Sequence, residues 1–423
     1  MKLYIVHFFK LIEPGEVLVL KLQSKERTHK AHTYIDRNED NLKALGKLNS
    51  HTNKELWGGT RVMPITLGKE QFIQSLEAVL RHVPKKTTQP VLYNILLETT
   101  DGALKITGTD MKSALSYKIP LESSEELRTT VPAKFFSDFI KKAPGSEVNL
   151  ELGDNFLLVS SGTASLKLST LPPEEYPELE VLQGNTFTVD TAVLKKAVDA
   201  VKKNVSKGEL RNPVLEGILL DGSEGVLIAV GTDGHRLAAC KTDLQVTDTA
   251  CLPADVLGDV CDTLVNTGNV AYVTFGEGEV AFENEVIYAV VRTLEGQYPP
   301  WRSVIPKTVE STVRLSKKAI GDVLDRAGML AKTYDDAVRL TLKDNSLTIA
   351  AEVPELGSFV ETISVEKEGP DLKIACNYAY LQDVLSGIDE DNVVLGLTSP
   401  LHPIVIRPEE SENYVGLVMP MKL

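Results

Sequence analysis

The chain has 423 residues, a formal charge of −14, 43% hydrophobic and 25% charged residues, the balance of a soluble protein long enough for two to four domains. No apolar run approaches the roughly 18 residues of a membrane span, so a helical membrane protein is excluded. Cys240, Cys251, Cys261 and Cys376 form no CxxC pair and have no histidine at ligand spacing, so they read as reduced cytoplasmic thiols filling cores, with no metal and no cofactor expected. The negative average argues against nucleic acid only if the charge is spread evenly, and composition does not report its distribution.

Residues 1–62 come first and stand apart. Their start, residues 3–9, is apolar but short, broken by His7 and closed by Lys10, and no small-residue cleavage pattern follows, so a secretory signal is not expected. The segment holds 11 basic and 7 acidic residues, which leaves 34 basic and 52 acidic, a net of −18, for the rest. It reads either as a basic arm touching DNA or a partner, or as leader read-through, with translation starting at Met63. Gly58-Gly59 could be encoded by a purine-rich ribosome-binding sequence, and the second reading is preferred.

From residue 63 the chain repeats itself. Spacing of Phe72, Leu76, Val79, Leu80 and Val83 predicts a helix over 69–83. Pro90-Val91-Leu92-Tyr93-Asn94-Ile95-Leu96-Leu97 follows, then Gly108-Thr109-Asp110, then Val131-Pro132-Ala133 opening a shorter helix over 133–142. Alternating residues around a Gly153-Asp154-Asn155 turn predict a hairpin, and Thr170-Leu171 with Tyr176-Pro177 close the block. The same order returns as Pro213-Val214-Leu215-Glu216-Gly217-Ile218-Leu219-Leu220 and Gly231-Thr232-Asp233, both at an offset of 123, then Leu252-Pro253-Ala254 at 121, and Thr293-Leu294 with Tyr298-Pro299. Helices are predicted here over 191–206 and 254–265. A third, fainter copy places helices over 317–331 and 378–387, with strands over 339–342 and 347–351. The period is too long for a solenoid. The reading is α+β: three similar domains (63–182, 183–307, 308–423), each with two helices on antiparallel sheet.

The most reactive-looking segment is Thr232-Asp233-Gly234-His235-Arg236-Leu237. Asp233 and His235 could serve as an acid–base pair with Arg236 as anion clamp. No nucleophile, P-loop, G-x-S-x-G, H-E-x-x-H or GxGxxG accompanies them, so a locally bonded polar turn is the preferred reading and no catalytic residue is assigned.

That segment, with Ala238, resembles the signature of the bacterial DNA polymerase III beta subunit, the sliding-clamp family. The tail Val418-Met419-Pro420-Met421-Lys422-Leu423 resembles that family's terminus, and segments 102–110, 130–134, 168–172 and 298–306 are also similar. The resemblance runs in order from residue 63 to 423. It implies a non-catalytic processivity factor: a head-to-tail homodimer closing into a ring of six domains, with helices lining the hole and sheets forming the outer wall. A ring needs positive potential only on its bore, which reconciles the charge of −14 with duplex DNA as a partner.

On the helices expected to line that bore, the candidate DNA-binding residues are Arg81, Lys85, Lys86, Lys134, Lys141, Lys195, Lys196, Lys202, Lys203, Lys317 and Lys318. Diffuse lysines suit sliding, since they meet phosphates without reading bases. The resemblance also implies a groove binding short peptides of the polymerase III catalytic subunit, the clamp loader, other polymerases and repair proteins. The matching positions are Leu215, Thr232, Gly234, His235, Arg236, Leu237, Pro299, Val304, Leu401, Leu417, Met419, Pro420, Met421 and Lys422. Methionines beside a terminus suit a pocket with many partners, although a C-terminal strand packed in the core is the plainer alternative. Leu166, Met329 and Leu330 match dimer-interface positions. Departures from the family pattern are Ala254 and Asp255 where basic residues are common, Asp259 and Asp262 on the same helix, Lys86 for arginine, and Trp301 for tyrosine. These leave open a specialised paralogue for repair, a mobile element or inhibitor resistance, and a peptide-binding hub that does not encircle DNA.

Overall fold

A computed structural model describes residues 64–121, 125–208 and 212–422, together with two short antiparallel strands, Leu3–Ile5 and Leu22–Ser24. The readings of the rest of residues 1–62 lie outside the described residues. Residues 63–423 form a compact unit of their own.

Helix α1 (Lys69–Leu80) buries Phe72, Leu76 and Val79 along one stripe, as the spacing predicts. It ends three residues early: the His82 and Val83 amides bond to Val79 and Leu80 in tightened turns, because Pro84 disfavours helix before it. Helix α2 spans Ala133–Lys142, α3 Thr191–Lys202, α4 Ala254–Thr267, α5 Lys317–Ala331 and α6 Tyr378–Ser386. Three of the N-termini are side-chain capped. Asp190 accepts from the amides of Ala192 and Val193, Ser316 from Ala319, and Asn377 from Ala379 and Tyr380.

All the strand pairing is antiparallel, and two of the sheets are shared between domains. The strands Ser113–Pro120 and Ile287–Arg292 join the first domain to the second, with Leu115 opposite Ala289. The strands Arg236–Lys241 and Tyr414–Val418 join the second to the third, with Leu237 opposite Leu417. Side chains of the joined sheets alternate between two cores. Ile218, Leu220, Ala229, Ala238 and Val418 face the main core, to which all six helices contribute. Leu219, Val230, Leu237, Val405 and Leu417 face a smaller cluster that holds Val214, Cys251 and Trp301 and draws no residue from α1 to α6. The helices therefore cover one face of the walls and leave the other to short 3-10 turns and loops.

Candidate functional site

The predicted basic residues lie on or next to the helices, and six of the eleven are already ion-paired. Arg81, just past α1, reaches Asp259 at 3.1 Å and Asp262 at 3.6 Å on α4. Lys195 bonds Asp199 at 2.7 Å and Asp262 at 2.6 Å, and these hydrogen bonds push its pKa well above the ordinary lysine value. Lys196 meets Asp389 of the third domain at 2.6 Å, Lys141 meets Glu77 at 2.8 Å, and Lys318 meets Asp322 at 2.6 Å. Lys202 lies across Gly258, where a Cβ would collide with its ammonium group, and faces Asp255 at 3.6 Å. Lys317 donates to the Ile388 carbonyl at 2.5 Å. Lys85, Lys86, Lys134 and Lys203 are exposed and have no ion-pair partner among the described residues. Paired acids such as Asp389 were beyond sequence reasoning, because they sit in other domains.

The turn singled out in the sequence is built by its own side chains. Thr232 Oγ1 donates to the Arg236 carbonyl at 2.6 Å, and Asp233 Oδ1 accepts from the amides of His235 (2.8 Å) and Arg236 (2.9 Å). Asp233 Oδ2 accepts from Arg236 Nε at 3.0 Å. Gly234 takes φ +87°, which a side chain would make costly. The carboxylate of Asp233 is thus committed to the backbone of the turn and to Arg236, and among the described contacts it does not bond the His235 ring. Arg236 is buried and crosses to the third domain, pairing with Asp383 and lying 4.5 Å from the Tyr380 ring centroid. His235 is exposed and stacks on the same ring. Asp383 and Tyr380 carry no local signal that would mark them in the sequence.

Around this turn the outer apolar cluster breaks the surface. Leu237 and Leu417 form its floor, with Tyr298 packed beside them and its hydroxyl donating to the Val230 carbonyl at 3.1 Å. Val304, Leu401 and Met419 stand exposed at 50%, 79% and 42%, while Leu215, Pro299, Pro420 and Met421 are half-buried and Lys422 is exposed. The tail is also a strand: Met421 pairs with Ala375 and Pro420 with Cys376. The plainer alternative holds for Val418, which is sealed in the main core, while Met419 is exposed.

Among the end strands of the open sheets, two are the dimer-side candidates. Ala164–Ser169 ends a four-stranded sheet and Gly357–Ser364 ends a five-stranded one. Leu166 is half-buried on the first strand. Met329, at the end of α5, is 69% exposed, whereas Leu330 is partly buried against the main core.

Family models for the N-terminal, central and C-terminal domains of the DNA polymerase III beta subunit match residues 63–180, 188–300 and 302–422 in that order. The chain belongs to this family. The beta sliding clamp of Staphylococcus epidermidis (strain RP62A) is 28% identical over 376 residues, covering 85% of this chain and 100% of that relative. The solved sliding clamp of Bacillus subtilis superposes with a TM-score of 0.81 at 27% identity, covering 86% of this chain and 100% of its own. The Thermotoga maritima beta subunit gives 0.80 at 25% identity, covering 86% and 100%. The three repeats are accordingly three clamp domains. In this clamp chain Trp301 is held by its own bonds: its Nε1 donates to Asp221 Oδ2 at 3.0 Å, and Arg302 lies over its ring and pairs with the same carboxylate at 2.6 Å.

Proposed function

We propose that the chain is a DNA sliding clamp, a non-catalytic processivity factor of the cytoplasm that encircles duplex DNA as a head-to-tail homodimer of three-domain subunits, with domain limits near residues 182 and 307. The observation that carries the ring is the pair of bare strands. Each internal join pairs the strand after a domain's first hairpin with the last long strand of the next domain. Gly357–Ser364 follows the third domain's hairpin and Ala164–Ser169 is the first domain's last strand, so each is one half of a third such join. A second copy supplies the other half. In that ring the helices face inward and Lys85, Lys86, Lys134 and Lys203 meet phosphates, with Arg81, Lys141, Lys195, Lys196, Lys202, Lys317 and Lys318 as a second tier held by acids.

The apolar cluster at the join of the second and third domains is the proposed site for short peptides of the polymerase III catalytic subunit, the clamp loader, other polymerases and repair proteins. Leu237 and Leu417 form the floor, and Val304, Leu401 and Met419 are the walls an apolar anchor would touch. Retention on DNA tests the whole reading. Loaded protein is expected to stay on closed circular plasmid through gel filtration and to leave once the plasmid is linearised. Equal loss from both forms overturns the encircling ring and favours a hub that binds peptides alone.

A further inference from the structure

A hollow of about 460 Å³ opens where the first and second domains join. Its walls include Thr109, Met111, Lys112 and Ser113, the linker around Leu179 to Leu182, and Val290 with Arg292 on the joining strand. By the internal repeat it is the counterpart of the groove described above, since Thr109, Met111, Lys112 and Ser113 stand 123 residues before Thr232, Gly234, His235 and Arg236. The backbone repeats as well. Thr109 Oγ1 donates to the Ser113 carbonyl at 2.9 Å as Thr232 Oγ1 does to Arg236, and the Arg292 amide donates to Lys112 at 2.9 Å as the Met419 amide does to His235 at 2.8 Å.

We infer that this hollow is a second peptide site, for a short segment that sets one apolar side chain beside lysine or arginine; the inference rests on reading the chain as a clamp that tethers partners by peptides. Three observations point to that occupant. Met111 holds φ +70°, a conformation costly for a residue with a side chain, at the position where the second domain has glycine at φ +87°. The fold itself therefore does not need a side chain there, yet a flexible thioether lines the hollow at 42% exposure. Leu179, Val181, Leu182 and Val290 extend the apolar lining, and the volume suits an anchor side chain with its neighbours. The rim is acidic: Glu178, Glu180, Glu277 and Glu279 outnumber Lys112 and Arg292, and Arg292 is spent on Glu279 at 3.1 Å. A cationic segment enters that potential favourably and an anionic one does not.

The test uses the full chain and two labelled probes, a short peptide with a leucine–phenylalanine core flanked by lysines and its twin flanked by glutamates, read by fluorescence anisotropy. The wild type is expected to bind the lysine peptide more tightly, and the preference to shrink with salt. Met111→Gly relieves the backbone and keeps or raises the melting temperature, yet weakens that binding about tenfold through loss of one apolar wall. Paired Glu180→Lys and Glu277→Lys reverse the preference toward the glutamate peptide, while Met419→Asp leaves lysine-peptide binding in place. No binding by the wild type, an affinity untouched by Met111→Gly, or binding lost only in Met419→Asp overturns the inference. Retention on circular plasmid, measured on the same wild-type protein, reports separately on the clamp reading, which fails only if that retention is absent.

Discussion

His82, in the turn that ends α1, is buried with its Nδ1 2.9 Å from Ser113 Oγ, and its Nε2 has no hydrogen-bond partner among the described residues. Burial pushes its pKa down to about 4, Asp110 works against that shift, and Arg81 adds to it. The folded state thus holds the neutral ring, whereas the unfolded chain protonates near 6.5. A depressed folded pKa means that stability is complete above about pH 6.5 and is lost as pH falls toward 4, by about 3 kcal/mol at the limit. Asp221 contributes in a different window. Its burial opposes ionisation, but bonds from Ser223, Arg302 and Trp301 outweigh it and hold the carboxyl at about 2. That contribution is lost only as pH falls from about 4 toward 2. Denaturant unfolding across pH separates the two: His82→Gln is expected to flatten the decline between 6.5 and 4, and Asp221→Asn the decline below it. A His82→Gln profile parallel to wild type removes the histidine from the account.

At the scale of elements, the helices were legible and their charge state was not. Apolar residues every three or four positions mark α1 to α6, because helix signals are local, while the caps at Asp190, Ser316 and Asn377 come from the structure. Lys195–Asp199 and Lys318–Asp322 are local pairs four residues apart, but Asp262 lies 67 residues from Lys195 and Asp259 178 from Arg81, so no window of sequence contains those partners. The departure on α4 thereby gains a physical meaning: Asp255, Asp259 and Asp262 face Arg81, Lys195 and Lys202 and, in the proposed bore, would compete with phosphate for them. Paired Asp259→Asn and Asp262→Asn are expected to tighten DNA association at low salt. The slope of log affinity against log salt should steepen by up to about 2, as freed cations reach phosphates. Thermal stability should change little, since exposed ion pairs contribute about 1 kcal/mol or less. An unchanged slope in a normally stable variant would show that these cations lie off the DNA path.

For the whole molecule, the repeat was readable as ordered matches at offsets near 122, while the joins between domains were not, since a strand's edge partner leaves no periodic trace. The structure supplies those joins, and from them follows the strongest expectation about assembly. A bare strand edge is a template for pairing, and natural proteins shield or use such edges. Here Gly357–Ser364 carries exposed Val360, with Leu356 beside it, and Met329 stands exposed on the third domain's α5. Large apolar side chains on an open edge favour use over shielding. The partner must present a last strand of the same kind, which Ala164–Ser169 does through half-buried Leu166. Two copies closed head to tail leave neither edge bare, whereas one copy leaves both. Val360→Asp together with Met329→Asp puts charges where two apolar anchors would be covered. A loss of about 3 kcal/mol or more, over a hundredfold in dissociation constant, is expected. Light scattering at micromolar concentration should then report a dimer for wild type and a monomer of unchanged helix content for the variant, which should also fail to stay on circular plasmid. A wild-type monomer, or a variant that still dimerises, would show that these edges do not close the ring.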